Sequence, residues 1–195
     1  MSWNYPTERL QLGAYAPLAL VIMMLGANLK PRICGTADGA ATGMRWLVEI
    51  IRSFPFGNSG PAPDLLLIAP PRFTNRKLND EGPAGNRSIA ESELLPSLYH
   101  QIARDCAGAF FDAGTIATAS PIDGVRLDAM NTRAIGEALV PITLESISWI
   151  GLRLLCMGTV ARNQHQLDVF QGKLRDSMVR SGFKCAERAV CRISI

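Results

Sequence analysis

Apolar residues recur along this chain in two rhythms, and the switching between them points to an architecture. Leu18 to Leu25, LALVIMML, is an unbroken apolar run. A strand in the middle of a parallel sheet needs such a run, because helices cover it on both faces. Asp64 to Pro70, DLLLIAP, repeats the pattern, and Pro70-Pro71 ends it. A third, shorter run is Ala109-Phe110-Phe111, closing on Asp112.

Between these runs the spacing becomes helical. Within 36–53, Met44, Leu47, Val48, Ile50 and Ile51 form one apolar stripe, Thr36 or Asp38 can cap the start, and Arg45 and Glu49 can pair on the exposed side. Within 88–106 the expected buried stripe is Leu94, Leu98, Ile102 and Cys106. Ser88 and Glu91 fit a capping box there, and Pro96 predicts a kink or a late start. Residues 131–143 read as a helix capped by Asp128 or Asn131, and 7–15 as a weak helix stopped by Gly13 and Pro17.

The stretches 54–63 and 72–88 are rich in Gly and Pro and read as loops; the second is expected to be mobile, with Arg72, Arg76 and Lys77 solvated. Alternating strands and helices make this an α/β chain, a three-layer α/β/α sandwich with a parallel sheet. The pattern weakens after Thr143. Ile147, Ile150 and Leu154, then Leu167, Phe170, Leu174 and Met178, hint at two helices in a basic tail. The expected organisation is a domain over 1–143 and an extension over 144–195, helical or poorly ordered.

Composition narrows the function. A chain of 195 residues suffices for one domain with a sizeable core, and 48% hydrophobic with 19% charged residues is ordinary for a globular protein. The net charge of +3 is small, and no dense Lys/Arg block interleaves with aromatics, so a nucleic-acid partner is not expected. The longest apolar run, Ala16 to Ala27, is shorter than the about 20 residues a membrane span needs. The N-terminus lacks a basic segment followed by an apolar core, so no secretory signal is expected. The 5 cysteines are scattered and show no CxxC, which suits reduced thiols in the cytoplasm better than a zinc or disulfide framework. No metal or other cofactor is expected.

The ordinary catalytic candidates are weak. His100 lies off its helix's stripe and reads as a surface residue, and His165 lies in the extension. Ser59, in Gly57-Asn58-Ser59-Gly60, follows a helix and precedes a strand, the reverse of the strand-to-helix turn that presents a nucleophile. The stretch Ala109–Pro141 is more informative. It passes from strand through the loop Ser120-Pro121-Ile122-Asp123-Gly124-Val125 to a helix start, which is how an α/β enzyme presents an acid at the carboxyl edge of its sheet.

That stretch, FFDAG followed by PIDGVRLDAMNTRAIGEAL, resembles the last block of the SGNH (GDSL-type) ester hydrolases, in their bacterial arylesterase/acyltransferase branch. A second block agrees: VIMMLGANLK is similar to the branch's VIIMLGTNDLK, with Gly26 and Asn28 at the Gly and Asn positions and the Asp missing by a one-residue deletion. The resemblance covers roughly 8–143. It implies an SGNH/flavodoxin-like fold, small carboxylic esters as substrates, Asn28 as oxyanion donor and Asp123 as the acid that orients a catalytic His.

Two departures matter. The family's His position falls on Arg126, and its Gly-Asp-Ser and Gly blocks are not found and are expected to precede residue 1. The family mechanism is attack by Ser on an ester carbonyl, a tetrahedral oxyanion, then an acyl-enzyme released by water or another alcohol. Arginine stays protonated and cannot serve as its base, though it can pair with Asp123 three residues away. The chain thus reads as an N-terminally truncated, degenerate esterase without activity; the alternative is a non-catalytic binding or interaction module on the same fold. Complementation by a separate chain is a third reading, which Arg126 opposes. Loss of a central strand is expected to leave a sheet edge or apolar face uncovered and open to self-association.

Overall fold

In a computed structural model of the chain, residues 12, 15, 18–29, 35–56, 62–77, 82–156 and 190–192 are described, with side chains described up to residue 145. The strands are β1, Leu20–Met24; β2, Asp64–Ala69; β3, Ala109–Asp112; and β4, Val190–Arg192. They pair in parallel in the order β3-β2-β1-β4. The helices are α1, Ala37–Ser53; α2, Ile89–Asp105; and α3, Ala129–Cys156, with a short 3-10 turn at Ala113–Thr115.

The apolar runs serve two faces because successive strand side chains point to opposite sides. Val21, Met23, Leu65, Leu67 and Ala69 join Ala41, Met44, Leu47, Val48 and Ile51 of α1 and Leu95, Tyr99 and Ile102 of α2 in one core. Leu20, Ile22, Leu66 and Ile68 join Ala113, Ala117 and, from α3, Ile135 and Leu139 in a second core. The sheet is therefore the middle layer of an α/β/α sandwich. Each fully buried Leu or Ile stabilises it by about 1.5–3 kcal/mol, so both faces are needed to hold so small a sheet.

Several expectations shift in detail. Thr36 caps α1 through its side chain, which accepts from the Gly39 amide. Ser88 caps α2, accepting from the Glu91 amide at 3.2 Å. Glu91 does not close the capping box, however: its carboxylate reaches α1 and accepts from the Ala37 amide at 2.6 Å. The buried stripe of α2 is Ser92, Leu95, Tyr99, Ile102 and Ala103, while Leu94 is 51% exposed. α2 begins at Ile89 and runs through Pro96, so the late start does not occur. Asp128 accepts from the Asn131 amide at 2.8 Å at the start of α3, which runs well beyond residue 143 through Pro141.

The far side of β1 is also not bare. Leu20, Val21 and Ile22 pair with Val190, Cys191 and Arg192 of β4. Most of 7–15 lies outside the described residues, although Leu12 is helical and buried. Ser59 and His165 also lie outside them. No helix among the described residues is long and apolar enough to cross a membrane.

Candidate functional site at the carboxyl edge of the sheet

All strands being parallel, the turns after β1, β2 and β3 open on one edge, where open α/β sheets place their sites. The turn after β1 carries Asn28. Its first residues are clamped from below by α2: the Tyr99 hydroxyl donates to the Leu25 carbonyl at 3.3 Å. Burial pushes the Tyr99 hydroxyl well above its ordinary pKa, so it stays a donor. Gly26 has φ +104°, and a Cβ there would sit 2.9 Å from Leu95 Cδ1 and 3.0 Å from Tyr99 Oη. Glycine is what allows α2 this close to the turn. Two residues on, Asn28 is exposed at the edge.

The turn after β3 leads to the Asp123 loop. The loop is tied by Ser120 N–H to Arg126 O at 2.7 Å and Gly124 N–H to Ser120 O at 2.8 Å. Asp123 Oδ1 accepts from the amides of Val125 and Arg126, both at 2.9 Å. Its Oδ2 lies 3.5 Å from Arg126 Nε, so the two residues are ion-paired, with Arg126 88% exposed. Partial burial raises the Asp123 carboxyl pKa, but the two amides and the charges of Arg126 and Arg87 outweigh it and leave the group below its ordinary value. Asp123 is thus ionised and committed to its own loop.

The connection between β2 and α2 joins these two turns, and sequence reasoning missed its part. Thr74 N–H donates to Gly124 O at 3.0 Å, Lys77 N–H to Pro121 O at 3.1 Å, and Ala84 N–H to Asp123 O at 2.8 Å. The described parts of this loop lace down the Asp123 loop. Arg76 is not merely solvated, since its Nε donates to Gly82 O at 3.0 Å. Arg87, which sequence reasoning did not single out, donates from Nε to Ala27 O at 3.0 Å, from Nη2 to Asn28 Oδ1 at 3.4 Å, and from Nη1 to Ala84 O. An arginine in a Gly-punctuated loop just before a helix cap was the one available signal.

The edge therefore brings Asn28, Arg87, Asp123 and Arg126 into one connected set. It can offer hydrogen-bond donors and positive charge to an oxyanion or carboxylate. Among the described residues it offers no neutral base: His100 is exposed on α2 and its ring packs against Phe110, with centroids 5.1 Å apart. Among the described residues no group of three or more His, Cys, Asp or Glu is placed to hold a metal ion.

Comparison with solved structures identifies the fold. The chain is 43% identical to a protein from Agrobacterium tumefaciens assigned as an arylesterase, over 70% of this chain and 65% of that one, with a TM-score of 0.65. It is 35% identical to a carbohydrate acetylesterase family member from Sinorhizobium meliloti, over 73% of this chain and 68% of that one, with a TM-score of 0.66. The aryl esterase of M. smegmatis matches at 29% identity over 68% of this chain and 63% of that one, with a TM-score of 0.60. No protein-family model matches the sequence, and no curated protein does. The chain belongs to the SGNH-type hydrolases, the family of these arylesterases and acetylesterases. It spans about two thirds of the length of the relatives named here, 65%, 68% and 63% of the three.

Proposed function

We propose that this chain is a carboxylic-ester hydrolase domain of the SGNH type whose triad chemistry is silent. Its turns keep the family's oxyanion donor, Asn28, and acid, Asp123, for small carboxylic esters such as aryl or acetyl esters. The observation that carries the silence is the Arg126–Asp123 ion pair. At the position where the family has its base stands a group that remains protonated at neutral pH, already neutralised by the carboxylate meant to orient a histidine. Loss of one triad member costs several orders of magnitude in rate, and further losses within the unit add little. The odd, scattered cysteines support a cytoplasmic setting, and Cys106 is a free thiol.

A fluorophosphonate probe, which labels only an activated serine, tests the reading. The expected result is no labelling above that of the heat-denatured chain. A single labelled serine would show that a nucleophile and base have been recruited from elsewhere in the fold.

A further inference from the structure

Arg87 belongs to neither block of the family resemblance, yet it touches the Asn28 turn directly and reaches the Asp123 loop through Ala84. We propose that Arg87 is a positioning residue that sets which face of the Asn28 amide looks outward and ties the Asn28 turn to the Asp123 loop. This rests on reading Asn28 as the oxyanion donor.

Chemistry fixes the first half. A guanidinium has five N–H donors and no acceptor, whereas a side-chain amide has an oxygen on one arm and an NH2 on the other. Only the oxygen can face Arg87, and Oδ1 lies 3.4 Å from Nη2. Flipping the amide would set donor against donor. The NH2 arm, the only part of Asn28 able to stabilise an oxyanion, is thereby turned away from Arg87. The same guanidinium grips the backbone one residue earlier, at Ala27 O, 3.0 Å from Nε. One rigid planar fork thus fixes both the peptide and the side chain, which a lysine's single point of charge cannot do.

The second half is the reach to the acid loop. Nη1 donates to Ala84 O, and the Ala84 amide donates to Asp123 O at 2.8 Å. The Arg87 charge also helps keep Asp123 ionised. The backbone beside Arg87 is set by Gly85. It has φ +74°, a left-handed conformation that favours glycine, two residues before Arg87.

The test uses NMR of the labelled full chain, comparing wild type with R87Q and R87K. Two readouts are followed, the order of the Asn28 side-chain amide and the titration midpoint of the Asp123 carboxyl, with β1, β2 and α2 backbone shifts as the control for folding. In R87Q the Asn28 side-chain amide order parameter is expected to fall relative to wild type, and the Asp123 midpoint to rise. R87K keeps the charge without the fork, so the Asp123 midpoint should stay low while Asn28 loses order. A purely structural prop would leave both readouts unchanged once the chain is folded. Unchanged Asn28 order in either folded variant overturns the proposal, and R87K serves should R87Q fail to fold. Neither readout needs turnover, so ester hydrolysis by the wild type would refute the silent-triad reading alone.

Discussion

A Cβ on Gly124 would sit 2.0 Å from the carbonyl oxygen of Thr74. The two backbones meet there because Thr74 N–H donates to Gly124 O at 3.0 Å, and Gly124 holds φ +70° to allow it. Gly124→Ala must therefore break this contact and adopt a strained dihedral as well. Strain of this kind costs about 1–3 kcal/mol, so the variant should lose at least that much stability. Denaturant unfolding measures it. A loss under about 0.5 kcal/mol, the scale of an ordinary surface change, would mean the loops do not meet as described.

The shifted stripe of α2 gives a paired test. Leu95 is fully buried and contacts the space above Gly26, whereas Leu94 is 51% exposed. Leu95→Ala should cost roughly 2–5 kcal/mol and Leu94→Ala less than about 0.5 kcal/mol. Equal costs would restore the stripe that simple four-residue spacing suggests.

Glu91 links two helices by accepting from the first amide of α1. A carboxylate there satisfies an orphan amide and complements the positive end of the helix. Glu91→Ala should destabilise by about 1 kcal/mol. Glu91→Gln should recover part of this, because its oxygen still accepts but carries no charge. If the alanine variant matches wild type in thermal unfolding, the cross-helix cap contributes nothing in solution.

Asp123 carries the pH dependence of the site. Its folded pKa lies below the ordinary 3.8, so the stability it contributes is complete above that value and is lost as pH falls through the lower folded value. The stability difference between wild type and Asp123→Asn should be constant between neutral pH and about 5, then shrink in stronger acid. Arg126→Ala should cost less than about 1 kcal/mol, because an ion pair with so exposed an arginine is heavily screened. A difference that instead grows on acidification would mean Asp123 is held protonated.

The layers were legible in the sequence because both faces of β1 and β2 are apolar and the helices cap where Thr36 and Ser88 stand. The stripe of α2 was displaced because spacing alone cannot separate Leu94 from Leu95; packing against Gly26 decides between them. The strand at Val190–Arg192 was illegible, since three residues carry too little pattern to announce a parallel pairing with so distant a partner. At the site, Asn28, Asp123 and Arg126 were visible because the two motif-bearing turns hold them. Arg87 and the Thr74–Gly124 contact were not, since they arise where three separate turns converge at one sheet edge.

The most direct test of the silent triad is hydrolysis of p-nitrophenyl acetate by the purified chain near neutral pH, with an Arg126→His variant beside it. The expected wild-type rate equals the spontaneous background measured with boiled protein, because Arg126 stays protonated and cannot act as the base; the Arg126→His variant shows what a base at that position changes. Turnover above that background by the wild type, lost on unfolding, would contradict the account and place a working nucleophile in this fold.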